Sequence, residues 1–397
     1  MRIIPEIPLK VPTKFQEGFQ NTFPYWGFFS QEQLEANGGK LLMLDLDIGG
    51  AGRYCSLDCP DCFRKDNVVD DSGGKDLSDR ELTKVIDEAC DLGLQSIKIC
   101  GVGEPTENSR FLHFVQCMTE RDIGVAVFTK GQVLGDDEKA RTFNKRDGIG
   151  SAEELCKAFY DLKVSFMLGF HSFDTEIQDR KVQHKGYTLI RNRALENLVQ
   201  AGFTVSNPPR LAFCNAPVVR ETYADAFDIY VYARKRNIYP ITAVEMTSGK
   251  QLGFETGFWA YIRSLFGFGS YVRRVDITKR QKVKLWTKIY SWNIEHGLQT
   301  LKQIREEGIS CLPGGHPCNQ LRAGLYVTAK GNVIGCPGFT NIQGNVRQQS
   351  LREIWERSSS RVIAAERFNT GCPPKEGKTI PADLYTIVLQ NLEEKYS

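Results

Sequence analysis

The sequence predicts an α/β fold in which a partial (β/α)6 TIM-type barrel precedes a small C-terminal α+β module. Between positions 41 and 247, short apolar segments alternate with amphipathic helical segments. Such alternation predicts parallel strands that are joined by right-handed crossovers through outer helices. Six apolar segments are enough for a partial barrel, and an open doubly wound sheet is the alternative. In either topology, functional residues lie at the carboxyl ends of the strands.

Each predicted strand is a short apolar run flanked by polar residues or glycine. The strands are predicted at positions 41–48, 95–101, 124–131, 163–170, 209–215 and 241–246. Helical spacing of apolar residues occurs between them, at positions 77–93, 191–202 and 221–237, and again at 286–308. In the first of these helices, Ser78 stands three residues before Glu81, which predicts an N-terminal capping box.

The composition is that of a globular protein, with 397 residues of which 41% are hydrophobic and 25% charged. The 51 Lys and Arg outnumber the 48 Asp and Glu only slightly, so bulk charge does not indicate a nucleic-acid partner. No segment approaches about 18 consecutive apolar residues, and the N-terminus lacks the apolar core of a signal peptide. We therefore expect a soluble cytoplasmic protein without a membrane partner.

Twelve cysteines are the unusual feature of the composition. In a reducing compartment they indicate metal or redox roles rather than disulfides. Seven of them form two groups along the chain, namely Cys55, Cys59 and Cys62, and then Cys311, Cys318, Cys336 and Cys372. The others lie singly in apolar or helical surroundings and are predicted to be small buried hydrophobic residues: Cys90, Cys100, Cys117, Cys156 and Cys214.

The first group has the spacing Cys-x3-Cys-x2-Cys and follows the first predicted strand directly. A structural zinc ion normally has four protein ligands, and a 4Fe–4S cluster usually has four cysteines. Because no fourth Cys or His is close in the sequence, three thiolates would leave one metal position open for a substrate. A zinc site completed by a distant residue is the alternative.

This cysteine motif resembles the signature of the radical S-adenosylmethionine (SAM) superfamily. The resemblance implies that Cys55, Cys59 and Cys62 bind a 4Fe–4S cluster and that SAM chelates its free iron. It also implies reductive cleavage of SAM to methionine and a 5′-deoxyadenosyl radical, which abstracts a hydrogen from the substrate. The sequence departs from the family pattern at Asp61, where an aromatic residue often precedes the third cysteine, and Phe63 follows it instead.

Later segments resemble the SAM-binding elements of that superfamily. Positions 99–105, ICGVGEP, resemble its Gly-Gly-Glu-Pro element. The resemblance implies that Gly101 and Gly103 permit close approach of the backbone and that Glu104 accepts hydrogen bonds from the SAM ammonium group.

Polar residues end the third, fourth and fifth predicted strands. Thr129, Ser172 and Asn215 occupy positions where the resemblance implies contacts with SAM, and a local turn or capping role fits them equally well. His171 and Glu245 are the candidate catalytic residues, as acid–base or substrate-binding groups. The alternative for both is an ordinary structural or solvated side chain.

The second cysteine group surrounds a predicted hairpin with its turn at positions 329–332. Cys318 and Cys336 frame the pattern Cys-x12-Gly-x4-Cys, which precedes a Gly-Asn-Val segment and a Leu-x-x-Ile-Trp helix start. This arrangement resembles the SPASM/Twitch subgroup of radical SAM enzymes, and the single later cysteine favours the shorter Twitch-like form. The resemblance implies one auxiliary 4Fe–4S cluster with four ligands, Cys311, Cys318, Cys336 and Cys372. In some relatives three cysteines leave an iron free, and a structural zinc is the other alternative.

The predicted domain organisation has five parts. They are an N-terminal extension (1–40), the radical SAM barrel (41–250), an aromatic and basic insertion with a linking helix (251–307), the auxiliary module (308–375) and a C-terminal helix (376–397). The aromatic and basic stretch itself spans 249–285 and is predicted to form an amphipathic helix. A stacking surface for a base or a peptide is the alternative.

The predicted function is that of a radical SAM enzyme that oxidises, dehydrogenates or otherwise modifies a small metabolite. Modification of a ribosomally made peptide, by crosslinking or epimerisation, is an alternative, as is modification of a nucleotide. The resemblance implies a flavodoxin or ferredoxin as electron donor. The hypothesis from a different class is a non-catalytic zinc protein that binds nucleic acid.

Overall fold

A computed structural model describes residues 1–10, 23–48, 55–64, 74–246, 276–359, 361–362 and 371–397. Most of the predicted insertion at 249–285 lies outside the described residues. Within the described ranges, every helix falls short of the length and hydrophobicity that a membrane crossing demands.

Nine strands of the described chain form one sheet. They are β1 (Met43–Leu46), β2 (Ser96–Ile99), β3 (Gly124–Thr129), β4 (Ser165–Gly169), β5 (Leu211–Asn215), β6 (Tyr239–Thr242), β7 (Gly324–Val327), β8 (Asn332–Ile334) and β9 (Gly344–Asn345). Their order is β6-β5-β4-β3-β2-β1-β7-β8-β9. Strands β1 to β6 are parallel, as predicted for a partial barrel.

The C-terminal strands continue the barrel sheet. Strand β7 pairs with β1 in parallel, from Met43 opposite Gly324 to Leu46 opposite Val327. Strands β8 and β9 follow in antiparallel order, and the hairpin turn between β7 and β8 includes Gly331 at φ +83°. The module that the sequence predicts as a separate unit therefore shares its hydrogen-bonding network with the barrel.

The predicted sixth strand is displaced toward its N-terminus. It was predicted at positions 241–246, whereas β6 spans Tyr239–Thr242. Its register pairs Ala212 with Tyr239 and Asn215 with Thr242. Strand β5 ends at Asn215, whose carbonyl oxygen still accepts from the Ala243 N–H at 3.2 Å, and after that bond the apolar run continues as a loop.

Helices cover the outside of the sheet and the C-terminal region. They are α1 (Gln31–Ala36), α2 (Asp79–Asp91), α3 (Phe111–Glu120), α4 (Asp137–Phe143), α5 (Ala152–Asp161), α6 (Thr175–Val182), α7 (Tyr187–Gln200), α8 (Tyr223–Arg234), α9 (Lys279–Glu295), α10 (Leu301–Glu307), α11 (Gln320–Ala323), α12 (Leu351–Glu356) and α13 (Leu384–Tyr396). The capping box predicted for α2 is present, with Ser78 and Glu81 bonded reciprocally.

The single helix predicted over 286–308 is two helices. Helix α9 ends at Glu295, and Gly297 follows at φ +62°, a left-handed conformation that favours glycine. Helix α10 then begins with its own capping box, formed by Thr300 and Gln303. The continuous apolar spacing concealed this break.

Alternate residues of the strands point to opposite faces of the sheet. On the outer face, apolar residues such as Leu44, Ile97 and Phe166 pack against the surrounding helices in one large buried core. On the inner face, β1 and β2 contribute charged residues instead, and Asp45 and Lys98 form a buried ion pair with 2.9 Å between Nζ and Oδ2. The interior of the barrel is therefore polar near β1 and β2.

Candidate functional site

One cavity of about 230 Å³ opens at the carboxyl ends of the barrel strands. Residues two apart along a strand share its inner face, which places Lys98 with Cys100 and Phe128 with Lys130 on the wall. Eight cysteines line the cavity: Cys59, Cys62, Cys100, Cys214, Cys311, Cys318, Cys336 and Cys372. The structure thus brings two of the three cysteines of the first group and all four of the second group to a single cavity, and Cys55 is not a wall residue.

Buried and half-buried polar contacts hold the loop of the first cysteine group. The amide N–H of Ser56 donates to the Glu107 carboxylate at 2.7 Å, and Lys139 Nζ lies 3.1 Å from the same carboxylate. On the other side, Asp61 forms an ion pair with Lys181 of α6. Cys59 and Cys62 reach the cavity wall, and Cys55 stands just before Ser56 in the same loop.

Asp47, at the end of β1, connects this loop with two other parts of the molecule. Its buried carboxylate accepts hydrogen bonds from Arg64 Nη2 at 2.9 Å, from the Val102 N–H at 3.0 Å and from the Tyr326 hydroxyl at 2.5 Å. Arg64 follows the first cysteine group, Val102 follows β2, and Tyr326 belongs to β7. One carboxylate therefore joins the cysteine loop, the β2 loop and the C-terminal hairpin.

Asp47 and Glu107 are not among the site residues that the sequence predicts. The signal for Asp47 was available, since Asp45 and Asp47 interrupt the apolar run of the first strand, where unpaired charge is costly. Glu107 had no comparable signal, because it lies in a short 3-10 helix and its partners Ser56 and Lys139 are distant in the sequence.

The loop after β2 has the tight geometry expected of its glycines. Gly101 and Gly103 have φ of +53° and +95°, and a Cβ at Gly101 would lie 3.2 Å from the carbonyl oxygen of Gly103. The buried Glu104 carboxylate accepts hydrogen bonds from Thr129 Oγ1 at 2.6 Å and from the Lys130 N–H at 2.9 Å. Burial raises the pKa of Glu104. Glu104 and Thr129 therefore join the β2 and β3 loops and are not wall residues of the cavity.

Ser172 and Asn215 differ in their hydrogen bonding. The Ser172 hydroxyl donates to the Asp225 carboxylate and accepts from the Asp174 N–H at 2.9 Å, a local structural role. Asn215 is buried, and within the described residues neither its Oδ1 nor its Nδ2 has a hydrogen-bond partner. A buried amide without partners is costly, so Asn215 fits a polar ligand that would complete its bonds.

Both candidate catalytic residues line the cavity. His171 is buried, and burial together with the charge of Lys130 holds its pKa well below the usual value. Its Nε2 lies 3.0 Å from Lys130 Nζ, so a neutral imidazole accepts a hydrogen bond from the ammonium group. The backbone carbonyl of Glu245 accepts a hydrogen bond from Thr379 Oγ1 at 2.8 Å, which links the β6 loop to the C-terminal region.

The four cysteines of the second group share one wall of the cavity. Burial raises the pKa of Cys318 and Cys336. The neighbouring Cys372 sulfur and burial raise the pKa of Cys311, whereas the neighbouring Cys311 thiol lowers the pKa of Cys372. Soft thiolates are the ligands of iron–sulfur clusters, so the donor set fits such a cluster. In the described part of the chain, no three His, Cys, Asp or Glu side chains are grouped to hold a single metal ion.

The isolated cysteines do not behave alike. Cys156 is buried in the outer core, as predicted, whereas Cys90 is exposed on α2, so that prediction was wrong. Cys90 directly follows the buried Ala89 in the sequence. Consecutive residues of a helix point in different directions, so Cys90 is exposed although Ala89 is buried. Cys100 and Cys214 are buried, yet both line the cavity, because they stand at the inward-facing ends of β2 and β5.

Residues 318–374 match the family model of the SPASM domain, an iron–sulfur cluster-binding domain. A solved structure of polyhistidine-tagged anSMEcpe with bound AdoMet is similar to most of the chain, with a TM-score of 0.56 and 14% identity over 89% of this chain and 96% of that one. The chain has the fold of that structure and contains a SPASM domain. No curated protein sequence has significant similarity to it.

A second structure is native anSMEcpe with bound AdoMet and the Kp18Cys peptide, with a TM-score of 0.53 and 15% identity over 81% of this chain and 82% of that one. The SPASM domain match includes Cys318, Cys336 and Cys372 but begins after Cys311. Cys311 nevertheless lines the same cavity as those three cysteines. The resemblance drawn from the sequence is thus confirmed for the fold and the domain.

Proposed function

We propose that this protein is a radical SAM enzyme with two 4Fe–4S clusters. Cys55, Cys59 and Cys62 would hold the cluster that binds SAM, and the second group, with Cys311, would hold the auxiliary cluster. When bound and reduced, the first cluster supplies the electron that cleaves SAM to methionine and a 5′-deoxyadenosyl radical. The observation that supports this proposal is the single cavity that Cys59 and Cys62 line together with all four cysteines of the second group.

The residues around the cavity suit that chemistry. The glycine turn at Gly101 and Gly103 leaves room for close approach of a ligand, and Asn215 offers an amide without partners in the described chain. The wall of the cavity itself is largely apolar, with side chains such as Phe128 and Met167. Apolar walls exclude water, which protects a reactive radical from side reactions. The carboxylate of Glu104 would maintain the shape of the loop, whether or not it also contacts SAM.

A substrate would bind between the two cysteine groups and undergo oxidation there. His171 and Glu245 line this space and would contact the substrate, His171 as a neutral imidazole because burial and the charge of Lys130 hold its pKa low. A small metabolite is the first candidate substrate. The peptide bound to anSMEcpe supports a peptide side chain as the second candidate substrate. A flavodoxin or a ferredoxin would supply the electron.

Metal analysis tests this function directly. Protein prepared and reconstituted without oxygen should contain about eight irons per chain, absorb near 400 nm and be brown, because each 4Fe–4S cluster contributes four irons. Incubation with SAM and dithionite should then release 5′-deoxyadenosine. Stoichiometric zinc in place of iron after anaerobic preparation would instead support the non-catalytic zinc protein.

Substitution of Cys336 by alanine is expected to separate the two clusters. The iron content should fall by about half, since the SPASM domain would lose a ligand, while 5′-deoxyadenosine should still form from SAM. The matched control is Cys117→Ala, in α3 and away from the cavity, which should retain all the iron. Full iron content in the Cys336 variant would contradict a role for Cys336 as a ligand.

A further inference from the structure

Four lysines lie near the cysteines of the cavity, and they differ in whether a carboxylate balances their positive charge. Lys98 pairs with Asp45 at 2.9 Å, and Lys181 pairs with Asp61. Lys130 donates to a neutral histidine. Lys375 is 5% exposed and lines the cavity, yet within the described residues no carboxylate lies within ion-pair distance of its ammonium group.

An unpaired buried ammonium group is unfavourable unless an anion balances its charge. Beside Lys375 on the cavity wall are the cysteines of the second group, which would be anionic thiolates when they bind a cluster. The Lys375 N–H donates to the carbonyl oxygen of Cys372 at 2.8 Å, which fixes the start of the side chain beside that cysteine. Lys375 also shares the cavity wall with all four cysteines of the second group, Cys311, Cys318, Cys336 and Cys372.

We propose that Lys375 is the counter-ion of the iron–sulfur cluster held by the second cysteine group and that it raises the reduction potential of that cluster. This inference rests on the proposed function. Reduction adds one electron, and therefore one negative charge, to the cluster. A fixed positive charge close by stabilises the reduced form more than the oxidised form. Lys375 would thus act through its positive charge, which makes the auxiliary cluster a better electron acceptor and a poorer electron donor.

Lys98 cannot serve the same purpose as effectively. Its ammonium group lies 2.9 Å from Asp45 and donates to Gln320 Oε1 at 2.5 Å, so most of its charge is already offset. Gln320 stands two residues after Cys318, and this contact joins β2 to the start of the SPASM domain. The structural role of Lys98 is therefore separate from the electrostatic role of Lys375.

The test is a potentiometric titration of the reconstituted protein with dithionite, followed by electron paramagnetic resonance. Lys375→Met removes the charge at nearly constant volume and should shift the midpoint potential of the auxiliary cluster to a more negative value. Lys375→Arg keeps the charge and should stay close to the wild type. The matched control is Lys378→Met, an exposed lysine on the same loop, which should leave the potential unchanged.

Iron content is measured first and separates the possible failures. A wild-type protein that binds no iron would contradict the proposed function as a whole. A fully loaded Lys375→Met variant with an unshifted potential would overturn only the role of Lys375. If Lys375→Met does not load, thermal unfolding of the cluster-free protein decides. Removal of an unpaired buried charge should then raise the unfolding midpoint, and a lower midpoint would overturn the inference.

Discussion

Substitution of Cys59 by alanine is expected to reduce the formation of 5′-deoxyadenosine from SAM to background. A 4Fe–4S cluster with one open iron is held by three thiolates, one for each of the other irons. Loss of one thiolate should therefore remove the cluster and the SAM site with it. Cys59 lines the cavity, and in the sequence it lies between Cys55 and Cys62. The measurement is chromatography of anaerobic reactions that contain SAM and dithionite.

The control for this substitution is Cys90→Ala, because Cys90 is an exposed cysteine on α2 that does not line the cavity. That variant should form 5′-deoxyadenosine as the unmodified protein does. Far-ultraviolet circular dichroism would show that the Cys59 variant is folded. Cleavage of SAM at the normal rate by a folded Cys59→Ala protein would place the cluster elsewhere in the molecule.

Substitution of Asp47 by alanine is expected to lower the free energy of unfolding by about 3–5 kcal/mol, the usual cost of breaking a buried ion pair. The Arg64 guanidinium is 2% exposed and would lose its carboxylate. The Val102 N–H and the Tyr326 hydroxyl would lose their acceptor at the same time. Equilibrium unfolding in urea gives the change in free energy.

The matched control removes the acid of an exposed ion pair. Asp161 lies 3.2 Å from Lys157 on the surface of α5, one helical turn away. Asp161→Ala should change the free energy of unfolding by less than about 1 kcal/mol, because solvent screens such pairs. Equal effects of the Asp47 and Asp161 substitutions would show that Asp47 does not hold the three segments together.

Local sequence information was sufficient for much of the barrel. Alternation of strands and helices depends on the periodicity of neighbouring residues, and the capping box of Ser78 and Glu81 joins residues three apart. The predicted bounds were wrong where the end of a strand depends on a pairing strand that is distant in the sequence. Strand β6 ends at Thr242, which pairs with Asn215 at the end of β5, and no local pattern in the apolar run indicates that limit.

The candidate site was predictable in its cysteines and less so in its surroundings. Spacing alone identified Cys55, Cys59 and Cys62 as a group, since all three lie in one loop. The inclusion of Cys100 and Cys214 in the cavity wall depends on the barrel, which brings the ends of β2 and β5 to the same space. Asp47 and Tyr326 are 279 positions apart in the chain, and only the pairing of β1 with β7 brings them together.

By itself, the amino-acid sequence determined the alternation of six strands with helices, the positions of most helices and the two sets of cysteines that could bind metal. Tertiary structure alone decided that cysteines of both sets face one cavity and which charges beside them are balanced. Lys98 and Lys375 are both buried lysines, but Asp45 lies next to only one of them. Charge compensation depends on distances between residues far apart in the chain, and these distances are set only when the barrel and the SPASM domain pack together.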